Sequence, residues 1–309
     1  PYPVSVQEGS RKAIIAAFFA NLGIAIAKFV GFLLTGSAGL LAESGHSVAD
    51  TGNQGLLMLG ARRGKRPADR LHPFGYGPER YFWSFVVALV LFSMGGLFAL
   101  YEGIQKVAHP HELESAGIAY AILGVSIALE TFSLRTAVKE ARTHKGAQSW
   151  WRYIRNAKSP ELPVVLLEDI GAETGLVVAL LGLVLAESTG DPRWDAAGSI
   201  TIGVLLVVIA IVLAVEMKGL LIGESASDAD VAAIERAVAG SPHVTSTIHL
   251  RTMHLGPDRL LVAVKVAFDP SLSAEALARA VNVVEENLRA ELHLDATVYV
   301  EPGLAEPPT

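Results

Sequence analysis

Gly39-Leu-Leu-Ala-Glu43-Ser-Gly-His46-Ser-Val-Ala-Asp50-Thr-Gly-Asn53-Gln54 is a mostly apolar stretch with an acid in its middle. His46 and Asp50 are four residues apart, one helical turn, so both project from one face. Glu43 and Asn53 share that face at steps of three and four. If the helix spans a bilayer, a charged side chain near its centre costs roughly 2.5–3.5 kcal/mol, and is retained only where it is paired, hydrated or needed. Interhelical hydrogen bonds worth about 0.6 kcal/mol each account for Ser47, Thr51 and Gln54. They do not account for Asp50, which requires a cation or a proton. His46 and Asp50 therefore read as metal ligands.

A second stretch, Pro163-Val-Val-Leu-Leu-Glu168-Asp169-Ile-Gly171-Ala-Glu173-Thr-Gly175, repeats the pattern with three carboxylates in six residues. They cannot all ionise in an apolar setting without a counter-cation. Asp169 and Glu173 share a helix face, whereas Glu168 is rotated by about 100° from Asp169. Gly171 and Gly175 allow close backbone approach, which predicts packing against the helix of His46 and Asp50. Two clusters on separate spans read as a divalent-cation site of His46, Asp50, Asp169 and Glu173. Glu168 and Glu43 are the further candidates.

Working outward, the chain of 309 residues is 51% hydrophobic and 18% charged, too apolar for an ordinary soluble domain. Six segments, at about 12–34, 38–60, 81–102, 116–138, 163–186 and 196–222, approach the roughly 20 apolar residues that cross a bilayer. From about Glu224 the character changes to charged and amphipathic. The reading is an α-helical membrane protein: a six-helix transmembrane transport domain over 1–223, then a small water-exposed domain over 224–309.

Basic residues alternate along the loops. Arg11 and Lys12 precede the first span, Arg62, Arg63, Lys65, Arg66 and Arg70 follow the second, and Arg142, Lys145, Arg152, Arg155 and Lys158 follow the fourth. By the positive-inside rule both termini are expected in the cytoplasm of a multi-pass inner-membrane protein. A net charge of -6 argues against a nucleic-acid partner. The absence of Cys leaves imidazole, oxygen and water as metal ligands. No cleavable signal peptide is expected, because the first apolar run is long enough to span.

These residues resemble the cation diffusion facilitator family, transporters that export zinc or similar divalent ions in exchange for protons. The resemblance rests on His46-x-x-x-Asp50, the Asp169…Gly175 segment, the loop Asp69-Arg-Leu-His72-Pro-Phe-Gly-Tyr-Gly77, Leu220-Leu-Ile-Gly-Glu224 and Tyr299-Val-Glu-Pro302. It covers almost the whole chain and implies a ferredoxin-like cytoplasmic domain that pairs in a homodimer. The chain departs from the family in three places. Val165 stands four residues before Asp169, where relatives place His or Asp, so the fourth ligand falls to Glu173 or Glu168. Tyr76 replaces the third His of a loop site to which Asp69 and His72 would belong. That loop then reads as an interface turn, with Tyr76, Tyr81 and Trp83 as an aromatic belt. Ile248 and Tyr299 occupy positions where relatives have His ligands, and His243, His249, His254 and His293 are scattered, so no tightly bound metal is expected in the C-terminal domain.

That domain reads as helix (about 227–239), strand (243–252), strand (259–268), helix (273–290) and strand (296–300), with Ser273 as a helix cap and Gly256-Pro257-Asp258 as a turn. The whole reads as a transporter and not an enzyme. It needs no cofactor; divalent metal, zinc first, and protons are its substrates, and the lipid bilayer and a second copy its partners. A site of one imidazole and several carboxylates is oxygen-rich, which keeps manganese, iron(II) and cobalt open. The rival reading is a membrane metal sensor or binding protein without net transport.

Overall fold

The computed structural model describes residues 4–35, 38–109 and 116–304. Two compact units result. One is built from Val6–Arg63 and Glu79–Lys218; the other gathers Gly64–Pro78 with the chain from Gly219 onward.

The first unit is helical: α1 (Val4–Thr35), α2 (Ala38–Arg63), α3 (Glu79–Val90), α4 (Phe98–Ala108), α5 (Ala116–Lys145), α6 (Trp150–Asn156), α7 (Glu161–Thr189) and α8 (Arg193–Ile222). Arg11–Leu34, Glu79–Ala108, Gly117–Lys145, Glu161–Thr189 and Arg193–Ile222 are long and apolar enough to cross a membrane. At 26 residues α2 is about 39 Å long and also sufficient in length. Its distinction is polarity, since Ser44, Ser47, Asn53 and Gln54 are all buried along it. Several helices outrun the spans expected from hydropathy, α5 continuing to Lys145. The short α6, which the sequence reading lacks, is capped by Ser149, whose Oγ accepts from Arg152 N at 3.2 Å.

A seven-residue π-helical segment, Leu91–Leu97, joins α3 to α4 within the third span. It falls where the helix meets α8. A side chain at Gly203 would stand 2.7 Å from Leu100 N and 3.0 Å from Gly96 O, and one at Gly103 would stand 2.8 Å from Ile200 N. Bare backbone on both helices therefore sets their close crossing. Elsewhere α5 runs along α7, and α2 along α3. Ser44 Oγ donates to Ala25 O at 3.0 Å, tying α2 to α1.

Ion pairs fasten the helix ends. Arg80 in the first turn of α3 grips Glu161 in the first turn of α7 through Nε and through Nη2, the latter at 2.9 Å from Oε2. Toward the other end Lys106 lies 3.0 Å from Glu102 Oε1 and 2.9 Å from Asp195 Oδ2, joining α4 to α8. Tyr81, expected in an interfacial belt, is fully buried. Following Arg80 in the first turn of α3, it packs inward with the helix.

The second unit holds α9 (Asp228–Ala239), β1 (Val244–Gly256), β2 (Arg259–Phe268), α10 (Ala274–Glu291) and β3 (Asp295–Gly303). The sheet order is β1-β2-β3, with β1 and β2 antiparallel and β2 and β3 parallel. Alternation along β2 puts Leu260, Val262, Val264 and Val266 in one core with Ile234, Val238, Val284 and Leu288 of the two helices. Ser227 and Ser273 cap those helices, accepting from Asp230 N and Ala276 N. The segment 64–78 lies backbone to backbone on the β1–β2 turn, since a side chain at Gly77 would collide with the Leu255 carbonyl. Gly75 turns the segment at φ 81°, a left-handed conformation that favours glycine.

Candidate metal site

The carboxylates of α7 point two ways. Asp169, 1% exposed, accepts from Ser133 Oγ of α5 at 2.7 Å. Glu173, one turn on, accepts from Thr131 Oγ1 of α5 at 2.9 Å, and its other oxygen is buried with no hydrogen-bond partner among the described residues. Glu168, about 100° round the helix, turns to α2 instead. Its two oxygens accept from Asn53 Nδ2 at 3.0 Å and Gln54 Nε2 at 2.7 Å. The packing of Gly171 and Gly175 differs from the expectation: side chains there would meet Leu206, Ile209 and Ile202 of α8, not α2. The glycine face of α7 and the α2-facing carboxylate are separate surfaces.

On α2, Asp50 is half-buried and stands one turn before the two amides that hold Glu168. The side chains of Glu43 and His46, both called from the sequence, lie outside the described residues. Val165, in the place of a family ligand, is fully buried. Among the described residues no three His, Asp or Glu side chains converge on one point as a coordination sphere. Glu168, Asp169 and Glu173 instead each have their own hydroxyl or amide donors.

One member escaped the sequence reading. Glu130 of α5 is 1% exposed, one residue before Thr131 and three before Ser133, which hold Glu173 and Asp169. The signal was available: an ionisable residue inside an apolar span is by default a functional candidate. It lacked the paired spacing that drew the eye to α2 and α7.

Residues 14–222 match the cation efflux transmembrane domain, and residues 226–303 match the cytoplasmic domain of cation efflux proteins. The chain belongs to the cation diffusion facilitator family. Among family relatives, the human "Proton-coupled zinc antiporter SLC30A9, mitochondrial" is 31% identical over 85% of this chain and 46% of its own length. "Magnetosome protein MamB" of Magnetospira sp. is 28% identical over 91% of this chain and 92% of its own. "Metal cation efflux system protein CzcD" of Cupriavidus metallidurans is 24% identical over 86% and 79% respectively. The chain spans about half the length of the SLC30A9 relatives it matches.

At the facilitator's loop, both oxygens of Asp69 are engaged. Oδ1 accepts from Leu71 N at 2.9 Å and His72 N at 2.7 Å, and Oδ2 accepts from the Tyr76 hydroxyl at 2.6 Å. The Tyr76 hydrogen bond, then that of His72 N, hold the Asp69 carboxyl below its usual range. His72 Nδ1 is 3.6 Å from Asp69 Oδ1, and its ring lies 4.3 Å from that of Tyr76, tilted by 38°. In the C-terminal unit Ile248 and Tyr299 are exposed. His254, one of the scattered histidines, is buried, and its backbone N–H donates to Glu224 O at 2.8 Å. A strand residue that follows the pleat inward needs no metal to be there.

Proposed function

We propose that the chain exports divalent metal cations, zinc first, across the cell membrane in exchange for protons. His46, Asp50, Asp169 and Glu173 are the proposed ligands, with Glu168 clamping α2 to α7. The observation that carries the reading is that Glu168, Asp169 and Glu173 sit within a membrane-length helix and, among the described residues, have only hydroxyl and amide partners, with no Lys or Arg. Carboxylates in that setting require a cation or a proton. A carboxylate has about four lone-pair sites, and Ser133 and Thr131 each occupy one, so capacity for an ion is left. Zinc is favoured because the SLC30A9 relatives carry that name.

Ligation requires deprotonated carboxylates and neutral His46, so protons and metal compete for the same groups. On the cytoplasmic face the ion displaces protons; facing outward, protons return and release it. The alternation of basic loops supports a cytoplasmic side for both termini. Residues 224–309 form a cytoplasmic dimerisation domain, in keeping with the cytoplasmic-domain match, and the working unit is a homodimer. The segment 1–223 is the transport domain.

The test is pH-gradient-driven zinc uptake in proteoliposomes. Asp50→Ala and Asp169→Ala should each abolish flux and leave a folded dimer, since removing a buried acid relieves an insertion cost of roughly 2.5–3.5 kcal/mol. Flux retained in either variant refutes the assignment. Wild-type binding without flux would mean a sensor or binding protein.

A further inference from the structure

We propose that Glu130 of α5 is a metal-binding residue of this transport site, and that it biases the site toward oxygen-preferring cations such as Mn2+. The inference rests on the site assignment above and extends it from two helices to three.

Three observations carry it. First, Ser126, Glu130, Ser133 and Ala137 succeed one another at steps of four, three and four, and all are 0–1% exposed. They form one inner stripe of α5, the helix that packs along α7. Second, the residues beside Glu130 already hold the ligands. Thr131 donates to Glu173 and Ser133 to Asp169. Third, four buried oxygens have no hydrogen-bond partner among the described residues: Ser126 Oγ on the stripe itself, Glu173 Oε2, and Asn53 Oδ1 and Gln54 Oε1 of the two amides that hold Glu168.

Glu130 is thus buried on the stretch of α5 whose Thr131 and Ser133 hold the carboxylates of Glu173 and Asp169. Two like charges 4 Å apart repel by about 4 kcal/mol at an effective dielectric of 20. A divalent ion turns that repulsion into ligation.

Beside the His46 imidazole, the donors available are carboxylate, amide carbonyl and hydroxyl oxygens. Zinc is content with four ligands and gains from imidazole. Mn2+ suits a larger, all-oxygen set. An extra carboxylate therefore matters more to Mn2+ than to zinc.

The experiment is calorimetric titration of the detergent-purified full chain with MnCl2 and with ZnCl2. Glu130→Gln keeps size and removes charge; it should weaken Mn2+ binding about 10-fold or more and Zn2+ binding less than about threefold. Glu130→Asp, which keeps the charge on a shorter arm, should fall between Glu130→Gln and wild type for Mn2+ and serves if Glu130→Gln does not purify as a single species. Unchanged affinities for both metals in both variants overturn the proposal. An equal loss for both metals overturns the bias toward Mn2+. Asp169→Ala is the control: if it binds both metals like wild type, the transport site itself is misassigned, whereas its failure to bind beside an unaffected Glu130→Gln sinks only this inference.

Discussion

Breaking the Arg80–Glu161 pair should destabilise the membrane unit more than most single changes. Its side chains are only 6% and 2% exposed. The guanidinium reaches both Glu161 oxygens and also Ser159 Oγ at 3.1 Å, and Ser159 donates to Glu161 Oε2 at 2.9 Å. Glu161→Gln leaves the Arg80 charge buried without its counter-charge, and Arg80→Met does the reverse. Losing one partner of a buried pair costs about 3–5 kcal/mol, whereas exchanging both for apolar groups of similar volume is nearly neutral. At 1.4 kcal/mol per decade, each single change shifts the folded ratio by roughly 100- to 4,000-fold. Reversible unfolding in mixed micelles, run on Arg80→Met, Glu161→Gln and Arg80→Met with Glu161→Leu, compares each broken pair with an apolar replacement of both partners. Both singles should fall well below wild type and the double should recover most of the loss. Singles within about 1 kcal/mol of wild type, or a double no better than the worse single, would mean the pair is solvated.

Two further outcomes separate the roles of the α7 acids and of the glycine crossing. Glu173→Gln keeps the Thr131 bond, so it should lower zinc affinity measured by calorimetry with little change in melting; Glu168→Gln sets an amide donor against Asn53 or Gln54 and should cost about 1.5–3 kcal/mol of stability. A larger affinity loss in Glu168→Gln at unchanged melting would make Glu168 the ligand. Gly203→Leu drives a side chain into the backbone at Leu100 and Gly96, and should destabilise by about 1–3 kcal/mol; a wild-type melting curve would show that α4 and α8 are not held at that distance.

Much of this molecule could be read from residue pattern because helix and strand periods are local. Alternation in 260–268 and the Ser273 cap located β2 and α10 within a residue or two. The spacing of Asp169 and Glu173 correctly put them on one face, with Glu168 on another. What the pattern lacks is the identity of the neighbour on each face. Gly171 and Gly175 announce close approach without naming α8, and nothing in 168–173 says that Asp169 looks to α5 and Glu168 to α2. Glu130 was missed for the same reason: its partners are distant in sequence, and a lone acid in an apolar run has no local spacing to betray it. The helix α6 is only seven residues long, too short for a period to emerge.

The π-helical segment makes the third span two helices out of phase. A π turn inserts extra residues without extra turns, and each residue carries about 100° of rotation. The half before Leu91 is aligned on α2 and α7, through Arg80 and its neighbours; the half after Leu97 is aligned on α8, through Gly103 and Lys106. Removing a single residue such as Gly95 would swing every later side chain of the span by that angle, taking Gly103 off Ile200 and Lys106 away from Asp195 together. In evolutionary terms the segment is a phase lock: this stretch can drift by substitution but not by insertion or deletion, so its length should be more constant among working relatives than its sequence.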